Sequence, residues 1–184
     1  IAGLQAAGHD VVDIGIVPTP TIEIAVRDGG FVGGIAVTAS HNPDQYNALK
    51  LIGQGGLFLS EVQGLKVRNI YEKNLIKNVG WGKVGKLGYD PSWIDFHIKK
   101  ITSLDIILID QIRQSNLKVV ADCVGGTASM MAARFFEKIG VSYELIHSEI
   151  GDKFPRGAEP TPENLRDLSL AVKEKGADIG FAFD

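Results

Sequence analysis

The chain lacks the features of secreted and membrane proteins. Among its 184 residues Cys123 is the only cysteine, so no internal disulfide bond can form. There is no Asn-x-Ser/Thr glycosylation acceptor and no signal-peptide pattern. The most apolar stretch, residues 101–112, is interrupted by Asp105 and Asp110 and is too short to span a bilayer. These absences predict a cytoplasmic protein that does not enter a membrane, with Cys123 an inert buried strand residue.

Strong charge of one sign is also missing. The formal net charge is −3, and no stripe of Lys and Arg concentrates positive potential. We therefore expect neither nucleic acid nor an anionic membrane as a partner. A small anionic substrate needs only a few local cations, so a small-molecule ligand is compatible with this composition. Nothing in the pattern predicts an oligomeric state.

What the sequence does have is an alternation of strand and helix signals. Residues 9–14 and 33–39 have strand patterns, and residues 19–28 between them have a helix pattern. The strand at 33–39 is almost wholly apolar, which is typical of a strand buried on both faces of a parallel sheet. Two local signals follow: a β-hairpin at residues 48–59, and a capping box formed by Ser60 and Gln63.

The second half repeats the alternation more clearly. A strand at residues 117–124 leads through a glycine turn into a helix that ends at Gly140. This helix carries Met131, Phe135 and Ile139 on one face. The remaining elements are a strand at 141–147, a helix that opens at 161–163 and is capped by Gly176, and a strand at 178–183. Such an order predicts βαβ units with right-handed crossovers over a parallel sheet.

The same pattern suggests two domains of the α/β class. We place the boundary near residues 104–113, which gives domains at 1–108 and 109–184, each with α/β/α layers and mixed, mostly parallel sheets. Residues 1–8 have the pattern of a helix end, and the last residues form a strand without a closing element. We therefore expect a fragment in which both domains are incomplete.

Ser40 is the first candidate for chemistry. It follows the apolar strand at 33–39, where α/β sheets place their ligand sites, and Asn42-Pro43 forces a turn directly afterwards. His41 adds a group that titrates near neutrality. Lys50 lies on a strand that can run back toward the serine, and a lysine there can bind phosphate or transfer a proton. From these residues alone, the sequence favours the alternatives, a plain polar turn at Ser40 and an exposed strand lysine at Lys50.

Other motifs point to no competing chemistry. Residues 80–85 match Gly-x-Gly-x-x-Gly, but Gly88 and Pro91 interrupt the helix that a dinucleotide site requires. The Gly-x-Ser-x-Gly elbow of hydrolases is absent. The remaining histidines have no zinc-ligand spacing and are expected at the surface or at strand ends: His9, His97 and His147.

The serine segment closely resembles the active-site signature of the α-D-phosphohexomutases, a family that includes phosphoglucomutase, phosphomannomutase and phosphoglucosamine mutase. The resemblance begins with Thr38-Ala39-Ser40-His41-Asn42-Pro43 and continues in Tyr46-Asn47-Ala48-Leu49-Lys50. Weaker similarities follow the family's order along the chain, at residues 17–21, 120–126, 159–165 and 177–184. The resemblance implies the first two domains of a four-domain enzyme.

The resemblance also implies a mechanism. Such an enzyme interconverts hexose 6-phosphate and hexose 1-phosphate through a phosphoserine, here Ser40, and a hexose 1,6-bisphosphate, which also serves as activator. His41 and Lys50 would neighbour the transferring phosphoryl group, with Lys50 handling the proton. Mg²⁺ would bind the Ser40 phosphate and an Asp-x-Asp-x-Asp loop of which Asp184 is the first aspartate. No other cofactor is implied.

Two departures from the family pattern bear on this expectation. Ala48 stands where family members usually have glycine, and the sequence contains only one of the three metal aspartates. The competing hypothesis is therefore an inactive piece that only binds a phosphosugar or serves as scaffold. We expect the 184-residue chain by itself to show no mutase activity.

Overall fold

The structure is a computed structural model that describes residues 1–40, 42, 45–151 and 153–184. It divides into two compact units, each discontinuous in sequence. One comprises residues 1–15, 22–36 and 51–93, and the other comprises residues 16–21, 37–50 and 94–184. The domain boundary predicted at residues 104–113 overlaps a short helix, α5 (Ile109–Gln114), and the division at residue 108 stays a prediction.

The first helices and strands follow the expected alternation. Helix α1 (Ala2–Ala6) precedes strand β1 (Val11–Asp13), and helix α2 (Thr19–Asp28) spans the predicted residues. Strand β1 pairs in parallel with β4 (Leu87–Tyr89), a strand that the glycine-rich sequence around it concealed.

Strand β2 (Gly33–Thr38) corrects one expectation, because it is not buried on both faces. Only Ala36 is buried, and the side chain of Val37 is 68 % exposed. Within the described ranges β2 pairs with β3 (Ala48–Gly53) alone, so this two-stranded sheet does not enclose the apolar strand. Hydrophobicity of a short run therefore indicated a strand correctly but overstated its burial.

The predicted hairpin and capping box are confirmed. The Gly53 N–H donates to the Leu57 carbonyl over 2.8 Å, which closes the turn after β3. Helix α3 (Glu61–Glu72) then begins with the reciprocal bonds of a capping box between Ser60 and Gln63. Helix α4 (Trp93–Thr102) follows a turn in which the Asp90 carboxylate accepts hydrogen bonds from the Ser92 N–H and hydroxyl.

A parallel sheet organises the second half as predicted. Strand β5 (Lys118–Asp122) lies between β6 (Ser142–Ile146) and β7 (Ile179–Ala182), and both pairings are parallel. Helices α6 (Ala128–Ile139) and α7 (Arg166–Glu174) form the crossovers. The strand–helix–strand order is thus the expected pair of βαβ units.

Helix α6 covers this sheet with a stripe slightly different from the predicted one. Its buried residues follow a three- and four-residue spacing and pack against β5: Ala128, Ala132, Phe136 and Ile139. Phe135 is only partly buried, so the stripe includes Phe136 where the sequence pattern favoured Phe135. Gly140 ends the helix with φ 74°, and a Cβ there would lie 2.7 Å from the Arg113 Cγ. A side chain at this position would clash.

In the described part of the chain the longest helices have 12 residues, and no helix combines the length and apolar character needed to cross a bilayer.

Candidate functional site

Ser40 lies in a turn two residues beyond the end of β2. Its backbone has φ 55°, in the left-handed region that costs an L-residue on the order of 1 kcal/mol. The turn is held locally, since the Ser40 N–H donates to the Thr38 Oγ1 over 2.9 Å. The Asn42 N–H and Nδ2 both donate to the Ala39 carbonyl, over 3.2 and 3.1 Å. These bonds hold the serine at the rim of the sheet, as predicted.

The Ser40 hydroxyl is a candidate phosphate carrier. The residue is half-buried, and across residues 1–40, 42, 45–151 and 153–184 no hydrogen bond involves its Oγ. A strained backbone that presents an uncommitted nucleophile is typical of functional sites. The next residue, His41, lies outside the described residues, so its predicted catalytic role stays a prediction.

Lys50 lies in β3, the strand that pairs with β2. It is half-buried, and it belongs to the same compact unit as Ser40. The expectation that its strand returns beside the serine strand is therefore confirmed, while its role in proton transfer stays a prediction. Ala48 opens β3 and is absent from the residues with positive φ, so alanine fits where the family prefers glycine.

A second group of polar residues lies at the carboxyl edge of the three-stranded sheet. Because β5, β6 and β7 are parallel, the residues that follow them share one edge. Asp122 ends β5, His147 follows β6, and Asp184 comes two residues after the end of β7. Of these three, sequence reasoning selected only Asp184.

Asp122 is a fully buried carboxylate, and both of its oxygens contact hydrogen-bonding groups of the protein. Its Oδ1 accepts from the Val124 N–H over 2.9 Å and lies 3.2 Å from the His147 Nδ1. Its Oδ2 accepts from the Arg156 Nε over 2.7 Å. A buried charge of this kind is tolerated only when it is paired and hydrogen-bonded, so these contacts are a requirement of the fold.

Arg156 has only 5 % of its side chain exposed and donates four hydrogen bonds. Besides Asp122, its guanidinium binds the carbonyls of Gly157 and Ala158 over 2.8 and 3.1 Å. Its Nη2 donates to the Phe183 carbonyl over 2.9 Å, directly before Asp184. One side chain therefore joins the end of β5, the loop before α7 and the end of β7.

His147 links the buried carboxylate to the surface. Its Nδ1 faces Asp122, and its Nε2 lies 3.5 Å from the Asp167 Oδ2 on α7. Because an ionised carboxylate can only accept, Nδ1 carries the proton that it donates to Asp122. His147 has φ 50° and Val124 has φ 51°, an unusual conformation for a β-branched residue. Backbone strain thus accompanies the ends of β5 and β6 as well as the serine loop.

Cys123 is buried beside this group, as the sequence predicted. Burial, followed by the charge of Asp122, raises the pKa of its thiol to about 11. A thiol held in this protonated form is a poor nucleophile and a poor metal ligand. Cys123 therefore packs in the core and does not contribute chemistry.

The predicted metal ligands agree with Mg²⁺ in the chemistry of their donor atoms. Asp184 is an exposed carboxylate at the sheet edge, and a phosphate on Ser40 would add hard oxygen donors. The two residues belong to the same compact unit. Within the ranges that the structure describes, no three His, Cys, Asp or Glu side chains group closely enough to hold a metal by themselves. If Mg²⁺ binds here, Asp184 and a phosphate on Ser40 would supply only part of its coordination shell.

Sequence reasoning missed Asp122, His147 and Arg156 as members of one group. The available signal was an acidic residue directly after three apolar strand residues, 119–121, because a buried Asp requires a partner. The identity of that partner depends on tertiary structure, since Arg156 lies 34 positions away.

Two family models match nearly the whole chain. Residues 1–77 match the model for phosphoglucomutase/phosphomannomutase, alpha/beta/alpha domain I. Residues 95–184 match the model for alpha/beta/alpha domain II of the same family. The domain I match contains the serine loop, and the domain II match contains Asp184.

Curated relatives agree with these matches over the full chain. This chain is 37 % identical over 184 residues to a protein of Methanobrevibacter smithii named "Probable phosphoglucosamine mutase". A protein of the same name from Methanopyrus kandleri is 34 % identical over 185 residues. Each alignment covers 100 % of this chain and 40 % of the relative, so the chain spans about two fifths of their length.

A solved structure supports the fold independently. The crystal structure of a phosphoglucomutase/phosphomannomutase family protein from Burkholderia thailandensis superposes with a TM-score of 0.76 at 32 % identity. The match covers 99 % of this chain and 39 % of that one. The two family models, the relatives and this superposition agree, and the chain belongs to the phosphoglucomutase/phosphomannomutase family, of which it contains α/β/α domains I and II.

Proposed function

We propose that this chain supplies the phosphate-carrying part of a cytoplasmic phosphohexomutase, an isomerase that moves a phosphoryl group between the 6- and 1-positions of a hexose phosphate. The observation that carries the proposal is the Ser40 turn, with a left-handed backbone and a hydroxyl that makes no hydrogen bond in the described part of the chain. Membership of the family supports it. A small-molecule sugar phosphate is the proposed partner.

In the proposed reaction a phosphoryl group passes from the Ser40 Oγ to a sugar hydroxyl. The bond between Oγ and phosphorus breaks as the bond between the sugar oxygen and phosphorus forms. Lys50, as the neutral amine, accepts the proton of the sugar hydroxyl and passes it to the departing Ser40 Oγ. The reverse transfer from the other end of the bisphosphate restores phosphoserine. Positioning and neutralisation of charge supply most of the catalysis in reactions of this kind.

While it holds that proton, Lys50 is a cation that can offset the phosphate charge, since a phosphoserine adds a charge of roughly −1.5 to −2 at neutral pH. Mg²⁺, when bound by the Ser40 phosphate and Asp184, would neutralise charge on the transferring group. The requirement for ligands beyond Asp184 is consistent with the described residues, which hold no three-residue metal cluster. His41 stays a candidate neighbour of the phosphoryl group.

The name of the relatives directs the choice of substrate. Because they are named phosphoglucosamine mutases, we propose glucosamine phosphate as the first sugar to test, with glucose and mannose phosphates as alternatives. The choice of sugar is separate from the type of reaction. With each of these three sugars the proposed reaction moves phosphate between the 6- and 1-positions.

The proposal is tested by a mutase assay on the full-length protein that carries this sequence. With Mg²⁺ and the matching hexose 1,6-bisphosphate, we expect turnover that is abolished in Ser40→Ala and reduced about 100-fold or more in Lys50→Met. Ser103→Ala, which changes a serine in the turn after α4, serves as the control and should retain full turnover. Full activity of Ser40→Ala would overturn the proposal.

The alternative function, an inactive binding or scaffold piece, is tested on the 184-residue chain by itself. We expect no turnover, because the chain contains only one of the three metal-binding aspartates that the family resemblance implies. Measurable activity that depends on Mg²⁺ would rule out the inactive-piece alternative.

A further inference from the structure

The two peptide units on either side of Phe183 are each held by one hydrogen bond. The Phe183 N–H donates to the main-chain carbonyl of Asp122 over 2.9 Å. The Phe183 carbonyl, which belongs to the same peptide plane as the Asp184 nitrogen, accepts from the Arg156 Nη2 over 2.9 Å. The first bond continues the sheet pairing of β7, whereas the second comes from a side chain and sets the plane of the last peptide.

Arg156 is itself held rigidly. Its Nε is bound to the Asp122 Oδ2, its Nη1 binds two carbonyls of its own loop, and its side chain is almost wholly buried. A planar guanidinium with four directed bonds cannot turn without breaking several of them. The carboxylate in turn is oriented by Val124 and His147. Asp122 therefore holds the Arg156 guanidinium in place, and the guanidinium in turn holds the Phe183 carbonyl.

A purely structural pair would not need this arrangement. To neutralise Asp122, the Arg156 Nε contact and the partners of the Asp122 Oδ1 are enough. The Arg156 Nη2 bond does not involve Asp122, because it goes to the carbonyl of Phe183, the residue before the exposed Asp184. Exposed strand ends lose their order readily because few contacts restrain them. The extra bond restrains the one strand end that carries the proposed metal ligand.

We propose that Arg156 is a positioning residue that sets the direction of the Asp184 carboxylate, with Asp122 holding Arg156 in place. The inference rests on the proposed function in one respect, that Asp184 binds Mg²⁺. It goes beyond that function by assigning a role to a residue that touches neither sugar nor metal. Residues that orient metal ligands commonly change metal affinity by about 10- to 100-fold when they are replaced.

The test measures Mg²⁺ binding by calorimetry to the full-length protein with Ser40 phosphorylated. Arg156→Lys keeps the charge but cannot reach all four acceptors, and we expect it to weaken Mg²⁺ binding about tenfold or more. The matched control is Arg113→Lys, because Arg113 also donates from Nη2 to a main-chain carbonyl, that of Lys138 over 3.1 Å. The control should bind Mg²⁺ like the wild type.

A double-mutant cycle separates positioning from general stability. In an Asp184→Asn background the Arg156→Lys change should have no further effect on Mg²⁺ affinity, because its influence passes through Asp184. Equal weakening in both backgrounds would contradict the inference, since it would mean that Arg156 acts on the whole fold. If Asp184→Asn itself binds Mg²⁺ normally, the metal assignment of the proposed function fails.

A second variant covers the possibility that Arg156→Lys does not fold. Asp122→Asn combined with Arg156→Gln removes both buried charges together, which avoids leaving either one unpaired. We expect this protein to fold and to bind Mg²⁺ at least tenfold more weakly. A folded double variant with wild-type Mg²⁺ affinity would overturn the positioning role, even where Asp184→Asn abolishes binding.

Discussion

The serine loop and the carboxyl edge of the three-stranded sheet both contain strained backbone, but they differ in how many hydrogen bonds their polar side chains make. Both contain non-glycine residues with positive φ, Ser40 in the first and Val124 and His147 in the second. The serine turn is held by a few short-range bonds and leaves the Ser40 hydroxyl uncommitted in the described part of the chain. At the sheet edge, Asp122 and Arg156 make six side-chain hydrogen bonds with each other and their neighbours.

This difference in hydrogen bonding matches the two proposed roles, a phosphate carrier at Ser40 and a group at the sheet edge that holds a ligand in place. A group that carries a phosphate must be reachable by its substrate, and within the described residues no hydrogen bond ties the Ser40 Oγ to the protein. A group that must hold a ligand in one direction is best surrounded by bonds that reinforce each other. Strain in the first region accompanies the proposed phosphate carrier, and strain in the second accompanies the packing of a buried charge.

The largest expected effect comes from breaking the buried pair. Asp122→Ala leaves the Arg156 guanidinium buried without its carboxylate, so we expect a loss of about 3–5 kcal/mol in the free energy of unfolding. Urea denaturation of the purified protein measures this loss. The control is Asp95→Ala, because Asp95 is an exposed carboxylate that lies 3.3 Å from Arg134. Exposed pairs contribute roughly 0–1 kcal/mol, and equal losses in both variants would remove the contrast between the two regions.

A smaller effect is expected at the serine loop. Ser40→Ala and Ser40→Gly both remove the hydroxyl, but only glycine adopts φ 55° without steric cost. We therefore expect the glycine variant to be the more stable of the two by about 1 kcal/mol in the same urea experiment. The opposite order would mean that the loop does not hold Ser40 in the left-handed region.

The fold was largely predictable because its signals are local. The capping box at Ser60, the glycine end of α6 and the alternation of strands and helices each depend on residues close in sequence. Strand β4 was concealed because its three residues lie among glycines, and its pairing with β1 joins residues 76 positions apart. The exposure of β2 also depends on what packs against it, which an apolar run does not reveal.

The candidate site was predictable only where a motif marked it. Ser40 and Lys50 were selected because the serine segment is highly specific, and Asp184 because it follows a strand that resembles the approach to the metal loop. Asp122, His147 and Arg156 meet only after β5, β6 and the following loop have folded together. No spacing in the sequence indicates such a meeting, so residues that support the site are harder to predict than those that react.

The central claim, that Ser40 carries the phosphate, is tested most directly by mass spectrometry of the purified full-length protein after exposure to the hexose 1,6-bisphosphate. We expect one phosphate per chain, located on Ser40 by peptide mapping and absent from Ser40→Ala, while the Ser103→Ala control retains it. Phosphate on another residue, or an unchanged amount of phosphate in Ser40→Ala, would contradict the claim.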